Sequence, residues 1–272
     1  LDILIDTIKD TYLILPILFI MYLCLEYFEH KNINQHFDKY LIRYGPIFGA
    51  LLGIIPQCGF GVLASLLFIE KRITLGTLIS VFIATSDEAI PILLTSPELY
   101  SSLLEIIIFK FILAILIGYL VDVFIKENHL TSQKDTHDHC HNHSLFIEAF
   151  LRTIKIYAFI FVVNFILSAA IEMIGTDQLS YILLDNSLLQ PVVSAIFGFI
   201  PNCAASVILT QLYMNQALSF ASLLAGLITN AGLGILVLLQ NKVNTATILK
   251  ICLILLMSAL FVSLPLQWLH LH

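Results

Sequence analysis

Apolar residues fall in long runs along this chain, with few charges inside them and no strict every-second-residue alternation. A bilayer core of roughly 30 Å takes about 20 helical residues. Runs at 11–28, 73–95, 103–125, 154–174, 218–240 and 247–268 approach or exceed that length, and they predict six full transmembrane helices. Transmembrane strands would show alternating segments of about ten residues instead, and none stand out here.

Two further apolar blocks, 45–69 and 190–213, carry a proline near the middle, Pro56 and Pro201. Proline removes a backbone donor and breaks a helix at the preceding turn. Each block is therefore one kinked span or a hairpin of two half-helices. The blocks also repeat one another. Residues 45–94 align without a gap on residues 190–239, an offset of 145, with Pro46 on Pro191, Gly53 on Gly198, Pro56 on Pro201 and Cys58 on Cys203. A duplicated half in a strongly apolar chain is the mark of membrane carriers, whose substrate site lies where the repeats meet.

Composition agrees. The 272 residues are 59% hydrophobic and only 12% charged, with a mean hydropathy of +0.95, whereas soluble domains carry about 25% charged residues. The net charge of −6 is spread over short loops and says little. The basic residues say more. If 45–69 and 190–213 are hairpins, Lys31, Lys39, Arg43, Lys71, Arg72, Lys126, Lys134, Arg152 and Lys242 share one face. The loops 96–102, 175–189 and 214–217 on the other face then contain no Lys or Arg, and Lys9 alone departs from the pattern. Positive residues favour the cytoplasmic side, so the hairpin reading is preferred over the kinked span. The expected fold is an all-α membrane protein: an inverted repeat of two five-segment halves, each with three full transmembrane helices and one hairpin. The first repeat takes 1–125, a cytoplasmic linker 126–149, and the second repeat 150–272. No cleavable signal peptide is expected, because no small-residue cleavage site follows the first apolar run.

From Gly45 to Pro56 a helix would climb about 16 Å at 1.5 Å per residue, roughly half the core. The hairpin tips Pro56-Gln57-Cys58-Gly59 and Pro201-Asn202-Cys203-Ala204 would thus meet near the midplane. Non-helical backbone at that depth must be buried in protein or line a cavity, and the amides of Gln57 and Asn202 can satisfy broken backbone groups. A packing kink with cysteine as filler is the plainer reading of each tip, but it would have to occur twice in the same Pro-x-Cys order.

The run Thr85-Ser86-Asp87-Glu88-Ala89-Ile90-Pro91 places two acids deep in a span. An ionised side chain there costs about 2.5–3.5 kcal/mol on the insertion scale, and such groups mark ion or proton pathways. Pro91 and the Thr-Ser pair suggest a local break exposing carbonyls; the bland alternative ends the span at Ser86. The matching stretch, Thr229-Asn230-Ala231-Gly232, keeps a polar break without an acid. The candidate substrate site is therefore Gln57, Cys58, Thr85, Ser86, Asp87, Glu88, Asn202, Cys203, Thr229 and Asn230, with Cys58, Cys203, Asp87 and Glu88 as candidate metal ligands. Glu105 and Lys110 are read as a pair within one helix.

The linker holds His137, His139, Cys140, His141 and His143. Imidazole and thiolate groups ligate zinc, copper and similar ions, so it is a candidate weak metal collector, against the plainer reading of a solvated connector. Five cysteines, four of them in apolar segments, argue against a disulfide framework. Cys24 and Cys252 read as buried hydrophobes.

The proline-flanked Cys58-Gly59, the Thr85-Ser86-Asp87-Glu88-Ala89-Ile90-Pro91 run and Ile200-Pro201-Asn202-Cys203 resemble the ten-transmembrane heavy-metal exporters. That family is related to the arsenical permeases, and some of its members are described as manganese transporters. The resemblance covers nearly the whole chain. It implies a bacterial inner-membrane efflux protein for a metal or metalloid, with Cys58, Cys203, Asp87 and Glu88 at functional positions. In the second tip Gly59-Phe60-Gly61 is replaced by Ala204-Ala205-Ser206.

Three functions are weighed. The first is a secondary transporter of a metal or metalloid ion, gradient-driven or powered by a separate subunit because no nucleotide-binding Gly-x-x-x-x-Gly-Lys is present. The second is a carrier of a small organic or oxyanion solute held at half-helix N-termini. The third is an intramembrane lipid-phosphate enzyme, disfavoured because phosphate needs cations near the tips and the three arginines lie at the inner surface. No enzyme activity, no cofactor and no nucleic-acid partner are expected. The partners are the lipid bilayer and the transported ion, with oligomerisation left open.

Overall fold

In a computed structural model of the chain, residues 35–57, 59–86, 88–125 and 189–271 are described, with helical positions 16, 19, 150, 153, 154, 157, 158, 161, 162, 165 and 166. The described residues are helical throughout, with no strand among them. In the first half α1 is Gln35–Gly53, α2 Gly59–Ile69, α3 Leu75–Ala84, α4 Ala89–Leu94 and α5 Tyr100–Phe124. In the second, α6 is Gln190–Gly198, α7 Cys203–Met214, α8 Phe220–Thr229, α9 Leu233–Gln240 and α10 Thr245–Leu271.

Four stretches are long and apolar enough to cross a bilayer: Leu75–Leu94, Pro97–Phe124, Phe220–Gln240 and Thr245–Leu269. These answer the expected spans at 73–95, 103–125, 218–240 and 247–268. Most of the expected spans 11–28 and 154–174, and the linker 126–149, lie outside the described residues. Two of the four stretches are broken, where α3 ends at Ala84 before α4 begins at Ala89 and where α8 ends at Thr229 before α9 begins at Leu233. A break was expected from Pro91, but Pro91 itself sits in the first turn of α4, where its missing N–H costs nothing.

One boundary differs from expectation. Residues 35–44, read as loop, belong to α1, which runs through Pro46. The neighbouring helix leaves room beside the ring: a side chain at Gly118 would place its first carbon 2.8 Å from Pro46 Cβ. That room is made by a helix far away in sequence.

Small residues set the helix contacts, as is usual where backbones approach closely in membranes. α1 runs beside α3 in the same direction, with Gly45 against Thr77 at one end and Gly53 against Ala84 at the other. The short 70–74 turn puts the end of α2 next to the start of α3, while Gly61 near its beginning lies by Phe82. The chain therefore runs one way along α1, turns after Gly53 and comes back along α2. The second half does the same: Ser194 Oγ donates to Ser222 O at 2.6 Å and Gly198 lies against Gly226, so α6 is parallel to α8.

The offset of 145 extends to fine detail. Gln57 N and Asn202 N each donate 2.7 Å to the carbonyl two residues back, Ile55 and Ile200. Lys71 and Gln216 both adopt a left-handed φ of 58° in the turn after the hairpin. Thr74 caps α3 by accepting from Thr77 N and donates to Asp122 Oδ2 at 2.8 Å. Ser219 caps α8 by accepting from Ser222 N and donates to Gln267 Oε1 at 2.6 Å.

The halves also touch reciprocally. α2 packs on α9 and α7 packs on α4. Beyond α4, Tyr213 Oη donates to Ser102 Oγ at 2.9 Å. Beside them lies a cleft of about 760 Å³ lined by Ser96, Glu98, Gln216, Ser219 and Gln267 among others. The segment leaving α4 thus sits at the turn that begins α8.

Candidate functional site

The returning helix of each half lies against the helix break of the other half. Gly61, two residues into α2, faces Ala231 O and Gly234 N at the second break. Ser65 Oγ on the same helix donates to Gly234 O at 2.9 Å. Ser206, early in α7, donates from Oγ to Glu88 Oε2 at 2.9 Å, at the first break. Ser206 and Gly61 are separated by the repeat offset, so the two cross-half contacts correspond.

Between the breaks stands Lys110, at the middle of α5 and 1% exposed. Its Nζ donates to Thr85 O, to Ser86 Oγ at 2.7 Å and to Leu227 O at 2.8 Å. Thr85 follows the last residue of α3, and Leu227 lies in the last turn of α8. Helix C-termini carry unpaired carbonyls and partial negative charge. One ammonium thus satisfies the ends of two broken helices, one from each half. The expected Glu105–Lys110 pair does not form that way: Glu105 is exposed while Lys110 is buried. Five positions apart, the two point to different faces of the helix.

The remaining candidates are placed as follows. Asn202 is buried and caps α7, its Oδ1 accepting from Ala204 N at 3.1 Å. Gln57 is half-buried at the first turn, its carbonyl accepting from Phe60 N at 3.1 Å. Thr85 Oγ1 turns back onto Val81 O at 2.7 Å, so its carbonyl faces Lys110 and its hydroxyl serves its own helix. Thr229 Oγ1 donates to Ala195 O at 2.7 Å and ties α8 to α6. Asn230 Oδ1 accepts from Gly232 N at 3.1 Å across the second break. There Gly232 takes φ 54°, a left-handed conformation that glycine adopts without a steric penalty. Cys58, Asp87, His137, His139, Cys140, His141 and His143 lie outside the described residues. Cys203 opens α7, its side chain undescribed. Among the described residues no group of three or more His, Cys, Asp or Glu could hold a metal.

Residues 1–173 and 144–264 match a protein family described as "Putative, 10TM heavy-metal exporter". The chain belongs to this family. With its apolar helices, that makes it a multi-pass membrane protein. No curated protein and no solved structure matches it.

Two partners at the site are not evident from the sequence. Ser206 stands out there only as a departure from the first tip's glycine, and Glu88 is its acceptor. Lys110 suggests a local partner, Glu105, and bonds distant oxygens instead. The signal was present: it is a lone basic residue in the centre of an apolar 25-residue helix, and the repeat places fully buried Leu255 at its equivalent. An intramembrane charge with no counterpart in the other half is a functional candidate by default.

Proposed function

We propose that this member of the exporter family is a secondary carrier that exports a metal or metalloid ion. Its cargo binds in a chamber between the two hairpin turns and the two helix breaks, near the bilayer midplane. The observation that carries the reading is that each half's returning helix starts against the other half's break, with Gly61 on Ala231 and Ser206 on Glu88. Broken helices at a repeat interface are how carriers present carbonyls and amides to cargo. The halves are read as inverted. In support, the segment after α4 lies beside the turn before α8, with Tyr213 bonded to Ser102, so the end of one broken span lies at the start of the other. Cys58 and Cys203 are the proposed soft ligands, and Asp87 and Glu88 the hard ones or the proton couplers, with Gln57, Asn202, Ser86 and Asn230 lining the chamber.

An oxyanion cargo at the half-helix N-termini has less support. Asn202 already accepts from the Ala204 amide, and Glu88 brings a carboxylate to the first turns of α7.

The test is growth of expressing cells across manganese, zinc, copper, cadmium, arsenite and antimonite. Protection is expected against at least one, and is expected to vanish in Asp87→Asn at equal membrane abundance. No protection by the wild type against any of them, with no metal flux in vesicles, overturns the metal reading.

A further inference from the structure

Lys110 does more than fill a gap between helices. Its ammonium sits on two backbone carbonyls and a hydroxyl, Thr85 O, Leu227 O and Ser86 Oγ, contributed by both halves and all from buried residues. Converging carbonyl and hydroxyl oxygens are the donor set that hard and borderline cations such as manganese take. They also lie where two helix C-termini aim partial negative charge at one point.

We propose that Lys110 is a resident cation at a cargo site: its ammonium occupies the oxygens that a transported cation would take, so cargo loading and Lys110 engagement exclude one another. This rests on the carrier reading above. In the empty protein the ammonium neutralises both helix ends and holds the halves together; in the loaded protein the cargo does so and Lys110 is displaced. The residue thereby sets specificity, because only a cation able to outcompete a fixed ammonium can load. The second repeat has Leu255 at the equivalent place, so the device exists once per molecule.

A site whose competent state is only fractionally populated binds with an affinity reduced by that fraction. Removing the competitor should therefore tighten cation binding, whereas removing a merely structural residue would weaken it or leave it alone. The experiment is Mn²⁺ titration of the purified full chain by calorimetry, comparing wild type with K110M and K110R. K110M is expected to bind about tenfold more tightly, and Mn²⁺ to raise its unfolding temperature more than that of wild type. K110R keeps the charge and is expected to bind no more tightly than wild type.

If K110M does not purify folded, K110L, which copies Leu255, is read the same way. Tighter binding by K110R also overturns the proposal. Equal or weaker binding by K110M overturns the proposal while leaving the carrier reading intact, provided the wild type still protects cells. Absence of Mn²⁺ binding in every protein overturns it as well. The carrier reading falls only with the loss of all wild-type metal protection and flux.

Discussion

An ionised side chain in a dry interior is tolerated only when it is paired and hydrogen-bonded, and Lys110 has partners 25 and 117 residues away along the chain. The other residue-scale proposal is the thiol pair. Cys58 and Cys203 are equivalent under the 145-residue offset, and thiolates select soft and borderline ions. Cys58→Ser combined with Cys203→Ser is expected to abolish binding of arsenite or cadmium to purified protein, read by calorimetry. Unchanged affinity in the double variant would remove the thiols from the site. The cysteines could be picked out in sequence because they recur beside proline in the same order. Lys110 could not be placed, because Thr85 O and Leu227 O are backbone carbonyls, which carry no residue-type signal.

Among the described residues each half holds a turned-back helix pair, a broken span and one long helix. The turns were legible because Pro56 and Pro201 stop a helix locally. The start of α1 was not, because Gly45-Pro46 reads as a boundary until Gly118 is seen to make room for the ring. The caps are the clearest element-scale agreement between the halves: Thr74 with Asp122, Ser219 with Gln267. Thr74→Ala and Ser219→Ala are each expected to lower stability by about 0.5–2 kcal/mol, as an earlier unfolding midpoint in detergent. Gly49→Leu should cost more, about 1–3 kcal/mol from overpacking. A side chain there would bring its first carbon within 2.8 Å of Thr77 O on α3. A Gly49→Leu protein as stable as the wild type would mean that α1 and α3 do not pack as described.

At the scale of the whole molecule, the prediction is one of sidedness. If the repeats are inverted, single cysteines introduced at Ser96 and Gln216 in a cysteine-free background are labelled by an impermeant thiol reagent from one face. Those introduced at Lys71 and Lys242 are labelled from the other. Labelling of Lys71 and Ser96 positions from the same side would refute the arrangement. The basic turns bearing Lys71, Arg72 and Lys242 are then the cytoplasmic ones.

The sequence by itself determined the helical membrane class, the duplication and the places where helices stop. Those depend on run length, proline position and the internal offset, properties that each segment carries alone. Only the tertiary structure decided what fills the polar gaps at those stops: Lys110 at the ends of α3 and α8, Ser206 on Glu88, Asp122 and Gln267 behind the caps. The reason is that a broken helix exposes backbone groups which must be satisfied in a dry medium. The groups that satisfy them come from whichever distant segment packing brings alongside.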